Sequence, residues 1–272
     1  MSTTANPDPD PQQAPAFIPL EANPQLMTDL VHKLGVSQAL QLHDVYSLTD
    51  PDMLAFIPRP ALALLLVFPI SAAYESHRMA EDTLTNEYEG KGENEPVVWW
   101  KQTIRNACGL MGLLHAVCNG PARNFIGACP PDSGIIYLNP TSFLTSAPTE
   151  KDSTLDKLLS KAIDMTPTQR SRLLEQTPEL ATAHRDAASV GDTAAPSAQD
   201  DVDLHYVCFA KGSDGALWEL DGRRKGPIRR GNLEENEDVL SPKGLNLGAL
   251  KFLEREGGDL RFSAVALAGA LD

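Results

Sequence analysis

The chain has 272 residues, 42% hydrophobic and 22% charged, ordinary proportions for a folded protein with room for one sizeable core. Its 37 acidic against 23 basic side chains leave a formal net charge of -14, which argues against nucleic acid as a partner and for a basic partner or simple solubility. The longest apolar run, residues 61–68, is far short of the ~20 residues a membrane helix needs, and no basic segment followed by an apolar stretch opens the chain as a signal peptide would.

In chain order, residues 1–16 are rich in Pro, Gln, Asp and Thr and are expected to form a disordered tail. Leu26, Leu30, His32, Leu34 and Leu40 follow helical spacing, predicting one or two short amphipathic helices within 17–42. The nearly all-apolar run 61–68, closed by Pro69, predicts a buried central strand. Residues 71–87 are polar and predicted helical, 91–95 form a charged loop, and 97–104 are extended. From Gly109 to Val117 the residues are small or apolar, predicting a helix buried nearly all round. Residues 119–148 are dense in Pro, Gly, Ser and Asn and predict a long loop. Helical patterning returns at 154–163 and 167–175. Residues 187–201 lose all apolar periodicity and contain Gly191 and Pro196, as a mobile loop would. Residues 202–210 and 216–221 predict a hairpin, and 260–267 a last strand. No internal repeat is present, and the pattern is that of one α+β domain.

The four cysteines, Cys108, Cys118, Cys129 and Cys208, show no C-x-x-C pair and no zinc spacing with histidine, so no metal or other cofactor is expected. They are expected to be thiols of a reducing compartment, cytoplasmic and in part nuclear. A reactive thiolate needs a lowered pKa, a base, an orienting partner for that base and donors for the oxyanion. Cys108 opens the helix predicted from Gly109, with Asn106 as the expected cap, and a helix start favours thiolate over thiol. Cys118, near the other end of that helix, is expected in the core.

Among the histidines, His115 lies seven residues after Cys108, about 10 Å along a helix axis, too far for a hydrogen bond. His32, His43, His77 and His184 sit where a solvated or structurally satisfied histidine is the ordinary reading. His205 is set apart by its hairpin. A register centred on Ser213 pairs Ala210 with Ala216, Phe209 with Leu217 and Val207 with Glu219. It sets His205 opposite Asp221, at a cross-strand distance where a carboxylate holds an imidazole. A slip would break that pairing, and Asp203, on the same face as His205, is the other candidate. Gln102, six residues before Cys108, could donate to an oxyanion beside the Cys108 N–H. A surface glutamine is the blander alternative.

The stretch KQTIRNACGLMGLLHA (101–116) closely resembles the active-site signature of the ubiquitin C-terminal hydrolase family. The stretch VDLHYVCFAKGSDGALWELDGRRKGPI (202–228) resembles that family's histidine and aspartate region. FIPLEANP (17–24), IPRPALALLLVFP (57–69) and DLRFSAVAL (259–267) also look like family segments, in the family's order. The resemblance implies Cys108 as nucleophile, His205 as general base and acid, Asp221 as its orienter and Gln102 as oxyanion donor. It implies a papain-like α+β core, with a central, mostly antiparallel sheet flanked by helices and a knotted backbone, a rare exception to the avoidance of knots.

The same resemblance implies a single catalytic domain over 17–272 of the short type, acting as a monomer, with ubiquitin as partner. Ubiquitin contacts are then expected at Pro19, Leu20, Glu21, Ala22, Asn23 and Pro24, and along a loop crossing the active site within 187–201. In that loop they fall at Ala188, Ser189, Val190, Gly191, Asp192, Thr193, Ala194 and Ala195. A third set lies at Asp259, Leu260, Arg261, Phe262, Ser263 and Ala264. The sequence departs from the family at Arg105 and Ala107, where small or hydroxyl residues are common, and in the longer variable loop 119–151. Two other readings stay open: a hydrolase for a ubiquitin-like modifier, and a ubiquitin-binding protein without turnover.

Overall fold

The structure, a computed structural model, describes residues 16–127, 136–139, 142–144, 152–191, 197–198, 200, 203–255 and 262–271. The predicted tail, apart from Ala16, lies outside the described residues, as does Cys129. The helices are α1 (Pro24–Leu34), α2 (Pro51–Leu54), α3 (Ala72–Thr83), α4 (Cys108–Val117), α5 (Thr154–Ala162), α6 (Pro167–Glu175), α7 (Pro178–Ala188), α8 (Pro242–Leu247) and α9 (Ala249–Arg255). The strands are β1 (Leu40–Asp44), β2 (Ala63–Pro69), β3 (Ile136–Asn139), β4 (Ser142–Leu144), β5 (Leu204–Lys211), β6 (Ala216–Leu220), β7 (Ile228–Asn232) and β8 (Ser263–Gly269). This is an α+β fold: an antiparallel six-stranded sheet in the order β1-β8-β2-β5-β6-β7, flanked by helices. Among the described residues no helix is long and apolar enough to cross a membrane.

The run predicted as a central strand is one. β2 lies between β8 and β5, and Leu64, Leu65 and Leu66 are fully buried. It is apolar without alternation because both sheet faces are covered. Successive side chains point to opposite faces. Ala63, Leu65 and Val67 therefore join Tyr206, Cys208 and Ala210 in the core that contains α1 and α4. Leu64, Leu66 and Phe68 join Val207, Phe209, Tyr74 and Phe252 in the core beneath α3 and α9. α4 lies close on the sheet because it carries glycine there. A Cβ at Gly112 would stand 2.9 Å from Leu65 Cδ2, and one at Gly109 would stand 2.9 Å from Leu20 Cβ.

Several local expectations are corrected. Leu40 is not helical: α1, capped by Asn23 and ended by Gly35 at φ +112, stops at Leu34, and Leu40 pairs with Gly269 in the sheet. Strand pairing across the molecule overrides its helical spacing. Residues 97–104 run without strand pairing, their backbone held by side chains and loops: Val98 N–H donates to Asn119 Oδ1, Trp100 N–H to His115 Nε2 and Gln102 N–H to Gly222 O. The stretch predicted as one long loop contains a 3-10 helix at Gly120–Phe125 and the β3–β4 hairpin. The stretch 187–201 begins in a helix, since α7 continues through Ala188, which is buried. The last strand is described from Ser263, after Phe262, while Leu260 and Arg261 lie outside the described residues. The implied knot depends on the path of the whole chain, part of which is likewise not described.

Candidate active site

Cys108 is the first residue of α4, so its side chain sits at the positive end of a ten-residue helix whose first N–H groups have no partner within it. The cap is Ala107, not Asn106, and it makes no side-chain bond. Asn106 is in the left-handed region at φ 58, and its Nδ2 donates instead to Ala198 O and Asp200 O, both at 3.1 Å. A left-handed residue directly before the cap turns its amide away from the helix axis, towards the chain that passes the helix end. Cys108 is half-buried and its Sγ lies 3.9 Å from Leu204 O.

His205 is the second residue of β5, opposite Phe68 at the end of β2. The hairpin forms, in a register two residues away from the one inferred. Lys211 pairs with Leu217, Ala210 with Trp218 and Phe209 with Glu219, and the ladder ends at Cys208 with Leu220. The turn is centred one residue later than inferred, on Asp214, because Gly212 N–H closes on Ala216 O, with Gly215 at φ +75. His205 and Asp221 are thus diagonal neighbours. A slip of two preserves the face, and a diagonal pair is within reach of long side chains. His205 Nε2 lies 2.8 Å from Asp221 Oδ1. The carboxylate facing the imidazole is therefore Asp221 and not Asp203, whose backbone oxygen accepts from Ile70 N–H at the sheet end.

Both members of this pair are buried, His205 at 2% exposure and Asp221 at 0%. Burial alone would push His205 towards neutrality. The Asp221 charge and hydrogen bond, with a contribution from the hydrogen-bonded Cys108, instead raise it to about 9. Asp221 is likewise penalised by burial, yet His205, the Tyr74 hydroxyl and the Arg223 N–H, 2.9 Å from Oδ1, hold it well below the usual carboxylate range. With Nε2 committed to Asp221, Nδ1 is the ring nitrogen left for Cys108. The arrangement is a thiol, an imidazole and a carboxylate in series.

Gln102 is half-buried. Its Nε2 donates to Ile104 O at 3.1 Å, and its Oε1 is buried with no partner among the described residues. One of its two amide hydrogens is therefore spent locally and one is left. Gly222, next after Asp221, fits tightly against it: a Cβ there would meet Gln102 Cβ at 2.9 Å and Trp100 O at 3.1 Å. Four of the other histidines hold structure. His115 is buried and lowered to about 4 by that burial, His184 likewise against the Phe17 ring, His43 bonds Gly269 O and His32 bonds Leu40 O. Cys118 is buried and its thiol pushed up to about 12, and Cys208 is shifted in the same direction by the same cause.

The expected ubiquitin contacts are placed unevenly. Leu20 is buried, and its carbonyl accepts from Tyr206 OH at 2.7 Å, a hydroxyl whose pKa both Cys108 and Glu21 help to raise after burial. Asn23 and Pro24 serve α1 as cap and first residue, while Pro19 and Ala22 are half-buried. Ala188 ends α7, Ser189 caps it, and Val190 is 66% exposed. Gly191 is half-buried. Ala264 is buried in the sheet and Ser263 is exposed at the start of its strand. Phe262 packs against the core beneath α3 and α9. Asp192, Thr193, Ala194, Ala195, Asp259, Leu260 and Arg261 lie outside the described residues. Sequence reasoning missed Tyr74, whose hydroxyl donates to Asp221 Oδ2. A lone tyrosine in a polar helix was the only available signal.

Comparison with known proteins bears on the family and the fold. A family model described as ubiquitin carboxyl-terminal hydrolase, family 1, matches residues 17–132 and 135–246. The chain is 33% identical over 257 residues to ubiquitin carboxyl-terminal hydrolase 3 of Arabidopsis thaliana, covering 93% of this chain and 94% of that protein. It is also 33% identical over 252 residues to the human isozyme L1, covering 93% and 98%. In structure it resembles the catalytic domain of Trichinella spiralis UCH37 bound to ubiquitin vinyl methyl ester, with a TM-score of 0.64 at 17% identity over 94% of this chain and 96% of that one. The chain belongs to family 1 of the ubiquitin carboxyl-terminal hydrolases, which are cysteine-type peptidases.

Proposed function

We propose that this chain hydrolyses the bond between the C-terminal glycine of ubiquitin and a small adduct or short peptide, with Cys108 as nucleophile, His205 as general base and acid, Asp221 as its orienter and Gln102 as oxyanion donor. The observation that carries the reading is the hydrogen bond from His205 Nε2 to Asp221 Oδ1, with Cys108 on the other side of the ring at a helix start.

The Cys108 thiolate, with the proton held at His205 Nδ1, adds to the glycine carbonyl carbon. The Cys108 N–H and the free amide hydrogen of Gln102 stabilise the oxyanion. His205 Nδ1–H protonates the departing amine as the C–N bond breaks, leaving a thioester. Water then gives a proton to Nδ1, adds to the thioester and displaces Cys108, releasing the ubiquitin carboxylate. The acidic surface suits ubiquitin's basic tail, Leu-Arg-Leu-Arg-Gly-Gly, and speeds encounter more than it raises affinity.

The preference for small leaving groups rests on the family's crossing loop and on the bonds from Asn106 to Ala198 and Asp200, which tie part of that stretch beside the nucleophile. The protein works as a monomer in one catalytic unit over 17–272, in a reducing cytoplasm or nucleus where its cysteines stay free. The test is reaction with ubiquitin, and separately with a ubiquitin-like modifier, each carrying a C-terminal electrophile, followed by mapping of the modified residue. Adduct on Cys108 from ubiquitin is expected. Adduct only from the ubiquitin-like modifier, or on another cysteine, would overturn the assignment.

A further inference from the structure

We propose that Tyr74 is a positioning residue for the Asp221–His205 pair, holding the second carboxylate oxygen so that the charge facing the imidazole is fixed in place and in strength. This rests on the reading of His205 and Asp221 given above. Asp221 has two oxygens to satisfy in a fully buried position. Oδ1 accepts from His205 Nε2 and from Arg223 N–H, and Oδ2 accepts from the Tyr74 hydroxyl. An ionised carboxylate can only accept, so each oxygen without a donor carries the full cost of burial.

Tyr74 is itself placed with unusual firmness. It is 2% exposed, in the first turn of α3, and its N–H donates to the Ser71 cap at 2.8 Å. Its ring packs on Phe68 at 5.0 Å, on His205 at 5.8 Å and on Phe252 at 6.1 Å between centroids. Next to it, Glu75 pairs with Arg223 at 2.8 Å, and Glu81 pairs with Arg224 at 2.8 Å. The turn that carries Asp221 is thus tied by two ion pairs to the helix that carries Tyr74. Burial and the Asp221 charge push the phenol far above its usual value, so it stays a donor throughout the working range.

The charged or titratable groups facing the pair are Tyr74 and Arg78 from α3, Cys108 and His115 from α4, and Arg223 and Arg224 from the turn. Of these, Tyr74 is the neutral donor that can be removed without changing net charge or ring packing. Removing it concentrates the carboxylate's charge on Oδ1, which strengthens the hold on the His205 proton. A more basic His205 is a poorer acid towards the leaving amine, the step in which its proton must be given up.

The experiment is Tyr74→Phe, read in two ways. Nuclear magnetic resonance of the His205 ring in the free enzyme follows its titration without any substrate, so it decides the point even if the ubiquitin reading fails. Turnover of a small ubiquitin amide gives kcat and KM. The expected result is an upward shift of the His205 titration and a kcat lowered about 10–100-fold, with KM nearly unchanged and short of the ~10⁴ loss that follows removal of an orienting carboxylate. An unchanged or downward-shifted His205 titration, or an unchanged kcat, would reduce Tyr74 to a satisfied core residue. If Tyr74→Phe lowers kcat while melting at the wild-type temperature, loss of folding is not the cause.

Discussion

Gly222→Ala offers a test of the tertiary contact between the turn after Asp221 and the segment that carries Gln102. A Cβ added at Gly222 would stand 2.9 Å from Gln102 Cβ, 3.1 Å from Trp100 O and 3.2 Å from Gln102 N, and ordinary contacts begin at 3.4 Å. The Gln102 backbone, or the turn, must therefore yield by about 0.5 Å, the shortfall between 2.9 and 3.4 Å. Neither neighbour is the end of a flexible side chain. The displaced bond is the one from Gln102 N–H to Gly222 O, 2.8 Å in the native protein.

Overpacking of this kind costs about 1–3 kcal/mol in stability. If a misplacement of 1 Å costs ~10² in rate, half that displacement of Gln102 costs about tenfold, or about 1.4 kcal/mol of barrier. The assays are urea unfolding for the first figure and kcat on a small ubiquitin amide for the second. Wild-type kcat in a variant destabilised as expected would show that the position of Gln102 does not matter to the reaction. The oxyanion role would then have to be withdrawn.

Cys108→Ala should abolish turnover while ubiquitin binding, measured by titration calorimetry, persists. Cys118→Ala and Cys208→Ala should remain active, because both thiols are buried and held protonated. Asp221→Asn should lower kcat far more than Asp203→Asn, and the reverse order of losses would contradict the observed pairing. Lengthening the chain after Ser189 with flexible residues should raise cleavage of diubiquitin relative to a small amide, since closure entropy grows slowly with loop length. Equal rates on both substrates in the wild type would remove the size limit.

His115 and His184 are both lowered to about 4, by burial above all. Their contribution to stability is therefore complete above the unfolded value near 6.5 and is lost as pH falls from there towards about 4. Equilibrium unfolding across that window should show the loss, and His184→Leu should flatten it. His205, raised to about 9 with burial opposed by Asp221, acts in the other direction. Its stabilisation is present below the unfolded value and is lost as pH rises through about 9, a loss that Asp221→Asn should remove.

The sequence by itself determined the elements whose signals are local. The apolar run of β2, the small-residue helix α4 with Cys108 at its start, and the helices α5 and α6, capped by Ser153 and Thr166, are written in adjacent residues, since periodicity and capping are properties of neighbours. The long motifs around Cys108 and His205 likewise carried the family. What only the tertiary structure decided are facts about distant chain segments. β8 inserts between β1 and β2, so Leu40 becomes a strand residue through a partner 229 positions away, at Gly269. The hairpin register moved by two because a Gly212–Ala216 backbone bond centres the turn on Asp214 instead of Ser213. The His205–Asp221 contact survived because a two-residue slip keeps the face. Tyr74 reaches Asp221 across 147 positions, and Gly222 meets Gln102 across a contact that no spacing rule describes. Such pairings exist only once the sheet has brought its edges together, because burial and backbone satisfaction are settled by the whole core and not by any stretch of it.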